Sequence, residues 1–487
     1  VFRFILLFVV FVFPAASAGA SPFAEAGDRQ LRNDVEVLAR YGLISGPVMT
    51  WPLTWRQITA RLDKTDGTDN LPPYVRMALA RVRGKIPGEF HASLTVRGTN
   101  TPALLRGFDY TARSEADVTL SAELHGDTIS AKGVIGYRYS EDDEVTDEVP
   151  LDGSYFAKEW GTFQFYVGTI DRWWSTGRES ALMISNNARP MPSIGLMRSE
   201  PKAFESKWLS WLGPWDLRVF LARMEEDRYF AHPLVLGIRV KISPVENMEM
   251  GAMRAIQVCG EGRPCGPGTW TDALFGGAAD NTGTLDEPGN QLGGFDFSYS
   301  FFLTKDVHVN SYFEFTGEDE GQYLPVKFAT LWGMSLYGGL GGDGLQWRLT
   351  GEYSDTSAKF KIITGKRDYN VFYNHSIYRS GFRYEGRAIG HSLDNDVRLF
   401  SLRASLFGGE NWEGSIAWHK AHLNRDGAGY NPVSLSAEKI DIFELSGSLP
   451  TRMGAVAMEA RYMTDQPDTP GEKDRRLDLE LSWRAAF

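Results

Sequence analysis

From about residue 88 to the end of the chain, apolar and polar side chains alternate one by one, the period of a strand with two unlike faces. The clearest case sets Val307, Val309, Ser311, Phe313 and Phe315 on one face against Asp306, His308, Asn310, Tyr312 and Glu314 on the other. Val456, Met458, Ala460 and Tyr462 alternate in the same way with Ala457, Glu459 and Arg461. Shorter versions fall at 119–124, 163–167, 215–221, 397–406 and 443–449, punctuated by Gly-, Asp- and Asn-rich stretches such as 338–344 and 424–429. The last strand carries Leu477, Leu479, Leu481, Trp483, Ala485 and Phe487 opposite Asp478, Glu480, Ser482 and Arg484, and ends on an aromatic ring. Roughly 400 residues at about 22 per strand and connection predict about 18 antiparallel strands, within about 16 to 20.

Before residue 88 the period is helical. Leu31, Val35 and Leu38 form an apolar stripe, with Asp28 placed to cap its start and Gly42 to end it. Thr54-Trp55-Arg56-Gln57 opens a second short helix through Leu62, and Pro72-Pro73 starts a third through Arg83. Three helices of this size bury too little surface to stand alone, so they are expected to dock on the strands. Ahead of them, Arg3, the uncharged run from Phe4 to Phe13, Pro14 and Ala16-Ser17-Ala18 read as a signal peptide over residues 1–20. Cleavage fits after Ala18 or after Ala20, and the run is too short to span a bilayer.

Composition narrows the strand reading. The 487 residues include 14 Trp, 19 Tyr, 29 Phe and 51 Gly, yet no stretch after the leader reaches the roughly 18 apolar residues of a membrane helix. A barrel hides its hydrophobicity in this way, because only alternate residues face lipid. The last strand must pair with the first so that no open edge lies in lipid. The expected fold is therefore an all-β transmembrane barrel with a small N-terminal helical bundle: 21–86 helical, at the periplasmic end, and 87–487 barrel. A soluble propeller would need a fixed-period repeat, which the sequence lacks. A net charge of -11 without a basic stripe excludes nucleic acid as a partner.

Two motifs carry a resemblance. Leu31-Arg32-Asn33-Asp34-Val35, Gly42-Leu43-Ile44, Pro47-Val48 and Thr50-Trp51-Pro52-Leu53 with Trp55 make up one; Trp173-Trp174 followed by Ser185-Asn186-Asn187-Ala188-Arg189-Pro190 is the other. Both resemble the Wzi family, and the likeness extends over the whole layout. It implies an outer-membrane barrel with an N-terminal helical bundle, a role in capsule assembly, and lectin-like binding of capsular or extracellular polysaccharide.

The residues themselves point to chemistry in one place. Segment 171–200 breaks the strand pattern and holds Trp173, Trp174, Arg172, Arg178, Arg189, Arg198, Asn186, Asn187, Pro190 and Pro192. Indole faces stack on sugar rings, Asn amides bond hydroxyls both ways, and arginine pairs with carboxylates. Trp173, Trp174, Arg178, Asn186, Asn187 and Arg189 are thus glycan-binding candidates. The structural alternative is a loop folded into the lumen, its tryptophans filling space and its arginines paired to wall carboxylates.

Nothing in the chain demands a cofactor or metal, and no catalytic set is visible. Gly-x-Ser-x-Gly, His-Glu-x-x-His and phosphate-loop motifs are absent. His419 and His422, three apart on a strand, point to opposite faces. The acidic run Glu141-Asp142-Asp143-Glu144 reads as a solvated loop tip ahead of a Ca2+ site. Cys259 and Cys265 are expected to form a disulfide within a long loop, 258–289, on the cell exterior. The resulting expectation is a monomeric, non-enzymatic outer-membrane barrel, in contact with lipid and surface polysaccharide and conducting little. Its rival is a substrate-selective porin with segment 173–200 as the constriction.

Overall fold

The computed structural model describes residues 23–62, 70–140, 150–275, 287–321, 324–360, 366–468 and 476–487. The leader over 1–20 and the acidic run at 141–144 lie outside the described residues.

Eighteen antiparallel strands, from Phe90–Thr99 to Arg476–Ala486, close into one barrel, each paired with its neighbours in sequence. The two-residue piece Arg367–Asp368 extends one edge beside Leu345–Phe360. The first and last strands close the ring from Ser93 opposite Ala486 to Thr99 opposite Glu480. The Phe487 N–H then donates to the Ala92 carbonyl at 2.8 Å, finishing the seam.

Alternation determines which way each strand faces. Leu477, Leu479 and Leu481 are each 53% exposed, whereas Asp478 and Glu480 between them are buried. Phe295, Phe297, Phe313, Phe315 and Trp332 pack ring on ring across three strands. Between them, Asp296, Tyr312 and Glu314 are buried. This is the polarity of a membrane barrel, apolar outside and polar within. His419 is buried inside on Ser401 Oγ at 2.8 Å, and His422 falls on the other face by the strand period.

The helices enter the barrel mouth instead of resting on its rim. Helix α1 (Arg29–Arg40) is capped by Asp28, whose carboxylate accepts from Leu31 N. Helix α2 spans Trp55–Thr59, with Thr54 accepting from Gln57 N, and stops short of Leu62. Helix α3 spans Pro73–Lys85. Gly339 and Gly344 let α3 sit against the wall: a Cβ at Gly339 would meet the Tyr74 ring at 2.6 Å, and Gly344, at φ +78, faces Met77.

Polar residues of α1 explain why it can be submerged. Arg32, Asn33, Asp34 and Glu36 are all buried, yet each has a partner. Asp34 takes a two-pronged ion pair from Arg81 at 2.6 and 2.8 Å, and Arg81 also donates to the Gly408 carbonyl. Asn33 bridges to the wall through Gln346 and Arg348. A polar lumen thus receives a helix whose polar face an ordinary core would reject.

One expected loop contains a strand. Ser193–Arg198 belongs to the barrel, although the sequence places it inside the break at 171–200. Of its inward residues Ser193, Gly195 and Met197, only Ser193 is polar, so the alternation that marks other strands is weak here. A nine-residue helix, α4 (Pro267–Phe275), also occupies the loop read as irregular, and Cys259 is bonded to Cys265 just before it.

Candidate functional site

Two connections on the end opposite α1–α3 turn inward and complete a plug. The first, 169–192, leaves the wall after Gly168 and descends until Trp173 and Trp174 pair as a short strand with Trp51 and Thr50. It then climbs back to Ser193, held to itself by Trp174 N–H to the Ile184 carbonyl at 2.9 Å. The second, 366–397, lies over it. Tyr373 Oη donates to the Leu182 carbonyl, Ser185 Oγ to that of Gly390 at 2.5 Å, and Asn187 Nδ2 to that of Ala388 at 2.8 Å.

Apolar packing joins this plug to the wall in several sectors. Trp174, Leu182, Met183 and Ile184 pack with Phe220, Val235, Leu292 and Leu331 of the wall and with Phe372 and Phe382 above. Leu104 and Leu105 pack against Leu399, Ala421 and Ile442 on another side, and Phe23 and Ile170 against Tyr155 and Met197 on a third.

Buried charge holds the layers in register. Glu36 of α1 receives Arg32 at 3.0 Å, Arg348 of the wall at 3.1 Å, and Arg178 of the descending segment. Burial opposes its ionisation, but the Arg178, Arg348 and Arg32 guanidiniums outweigh it and hold the carboxyl down to about 2. Wall carboxylates grip the backbone of the same segment: Glu352 accepts from Arg178 N at 2.8 Å, and Glu314 from Leu182 N at 3.1 Å and from Ser175 Oγ. Arg403 of the wall joins Glu179 and Glu444, at 2.8 and 2.6 Å.

The six glycan candidates therefore divide by depth. Trp173, 0% exposed, donates from Nε1 to the Gly177 carbonyl and meets Phe108 edge-on; Trp174, 2% exposed, meets Phe220. Neither ring presents a face to solvent, so neither is placed to stack on a sugar; with Arg178 they build the plug. Asn186 and Asn187 lie under the loop-end mouth, buried, and their Oδ1 atoms have no hydrogen-bond partner. Arg189 alone of the six is half-buried, pairing with Asp152 at 3.1 Å and with Glu385 at 3.6 Å. Arg172 bonds Ser193 at 2.6 Å, and Arg198 stacks over Trp215 on the wall.

Sequence reasoning missed the part of the mouth supplied by distant segments. Arg106 and Arg113 reach the carbonyl of Asn187, each at 3.2 Å, and the hairpin of Arg383–Tyr384 with Arg387–Ala388 meets the same residue, whose Nδ2 donates to the Ala388 carbonyl. The mouth is thus a rim of arginine, carboxylate and amide groups above the packed plug, suited to polar contact with hydroxyls and carboxylates. Among the described residues, no group of three His, Cys, Asp or Glu side chains is arranged to hold a metal.

Comparison with known proteins identifies the architecture. A family described as capsule assembly protein Wzi matches residues 86–476, most of the chain. The protein belongs to the Wzi family. An uncharacterized 55.8 kDa protein in the cps region of Klebsiella pneumoniae is 31% identical over 344 residues. That match covers 68% of this chain and 66%, just under two thirds, of the relative. The solved Wzi of Escherichia coli, described as a carbohydrate-binding outer-membrane β-barrel involved in group 1 capsule assembly, superimposes with a TM-score of 0.81. It is 23% identical, over 96% of this chain and 100% of that one. A closed strand barrel with an apolar outer face, in this family, is an outer-membrane protein.

Proposed function

We propose that this Wzi-family protein binds capsular or other surface polysaccharide at the loop end of its plugged barrel and so supports capsule assembly or attachment. In this reading the chain is exported with a cleaved leader, stands as a monomer, and turns α1–α3 toward the periplasm. The observation that carries it is the plug. Helices α1–α3 from one end and segments 169–192 and 366–397 from the other meet in a lumen packed with buried apolar side chains. A selective porin keeps its lumen polar and wetted. Polymer contact then falls to the mouth, where Arg189 sits with Asp152 and Glu385.

Arg189→Ala tests it. Losing a charged hydrogen-bonding group costs about 1–3 kcal/mol, so polymer binding weakens roughly tenfold to a hundredfold. Cells carrying the variant release polysaccharide into the medium while still making it, with the variant barrel still heat-modifiable. A folded variant that retains polymer like wild type takes Arg189 out of the site. A wild-type barrel that retains no polymer and conducts ions freely is a porin.

A further inference from the structure

We propose that Arg106, Arg113 and Arg387 form a subsite for the carboxylate of an acidic sugar, which rests on the polysaccharide reading above and gives that polymer its chemical class. Arg106 and Arg113 share the connection between the strands Phe90–Thr99 and Ala116–His125, Arg387 comes from a connection far along the chain, and all three gather round Asn187. Arg106 and Arg113 each donate to its carbonyl at 3.2 Å, and its side chain donates to Ala388, next to Arg387. Arg113 also bonds the Asn186 carbonyl at 2.8 Å, and Arg106 that of Ala112 at 3.2 Å.

These cations are short of counter-charge. Arg106 is 3% exposed and bonds only carbonyls, and its Nε is buried without a partner. Arg387, partly exposed beside the turn Glu385-Gly386, has its backbone paired with Tyr384, but its side chain has no ion or hydrogen-bond partner among the described residues. Among the described residues Asp171, 3.2 Å from Arg113, is the carboxylate in ion-pair contact with the group; Glu480 acts on Arg106 from further off and is itself paired with Arg461 at 3.2 Å. Burial pushes the Asp171 carboxyl up to about 6, so it neutralises little charge in mildly acidic medium. Burial pushes Arg387 down to about 10, and the nearby Arg113 charge adds to it as the smaller cause.

A buried cation without a counter-ion is costly, and a bound anion removes that cost. Guanidinium groups match a carboxylate with paired parallel hydrogen bonds. The unpartnered Oδ1 atoms of Asn186 and Asn187 nearby supply acceptors for hydroxyls, which a sugar has and a simple anion lacks.

The test uses the full-length detergent-purified barrel and three probes: hexagalacturonate, the same hexamer with its carboxylates reduced to alcohols, and inorganic phosphate. Wild type should bind hexagalacturonate at least tenfold more tightly than the reduced hexamer, and salt should weaken that preference. Arg387→Gln, at an accessible turn, should abolish the preference and leave the barrel heat-modifiable; Arg379→Gln, exposed on the same segment, should keep it. Equal affinity for both hexamers, or an unchanged preference in Arg387→Gln, overturns the subsite while leaving polysaccharide binding standing. Binding of neither hexamer overturns both readings. Phosphate that stabilises the barrel without competing against hexagalacturonate also overturns the subsite, since the arginines then hold a structural anion.

Discussion

Removing the Glu36 carboxylate should loosen the plug while leaving the barrel intact. Glu36 is the shared counter-ion of Arg32, Arg178 and Arg348, and so ties α1 to the descending segment and to the wall. All four side chains are no more than 8% exposed, which places the loss among buried ion pairs, where deleting one partner costs about 3–5 kcal/mol. At about 1.4 kcal/mol per decade, the docked-to-undocked ratio of α1 falls by roughly two to almost four decades in Glu36→Ala. Amide hydrogen exchange reads that ratio directly. Exchange of residues 29–40 should accelerate at least about a hundredfold. Exchange in the strands should stay slow, because the barrel ladder does not pass through Glu36. Glu36→Gln, which keeps the shape and loses the charge, should move in the same direction. Brief conducting events should appear in a planar bilayer where wild type is quiet. Exchange within tenfold of wild type in Glu36→Ala would show that the charge cluster is not what seats the helix.

Other outcomes follow from the same contacts. Trp174→Ala should cost about 3–5 kcal/mol as a cavity beside Phe220, speeding exchange in 173–187 with little change in polymer affinity; a selective affinity loss would return Trp174 to the binding site. Deleting Phe487, which closes the seam onto Ala92, should reduce membrane assembly far more than deleting an exposed loop residue, measured as the heat-modifiable fraction on a detergent gel. Burial holds His391 down to about 4, so it is neutral in the fold while an unfolded histidine protonates near 6.5. Its contribution is therefore complete above about pH 6.5 and lost as pH falls toward about 4. Exchange at 389–394 should rise over that window, and His391→Gln should flatten the rise. Separating Cys259 from Cys265 by Cys265→Ser should hardly shift barrel unfolding, because the closed loop is short.

Much of the barrel was legible because its two faces meet two different solvents. Strand Val307–Gly321 shows its polar lumen side and apolar lipid side residue by residue, as does Arg476–Ala486. Ser193–Arg198 was hidden because the plug presses an apolar surface against its inner face, so Met197 stands where a polar residue usually would. The helix periods and caps were local and readable, with Asp28 and Thr54 both capping as their sequence context suggests. Helix depth was not readable: Arg32, Asn33, Asp34 and Glu36 look like a solvated face until Arg81, Gln346 and Arg348 are seen to meet them. The same limit applies at the candidate site. Trp173 and Trp174 carry the residue types of a sugar platform, and only their pairing with Thr50 and Trp51 shows that they are buried. Arg106, Arg113 and Arg387 share no motif because the site forms only when three connections converge.

The proposed role requires that a closed barrel of this family hold polysaccharide at its mouth. The most direct measurement is saturable binding of purified surface polysaccharide to the detergent-solubilised, heat-modifiable protein. Wild type should bind saturably, and Arg189→Ala should weaken that binding roughly tenfold or more. No saturable binding by folded wild-type protein would contradict it.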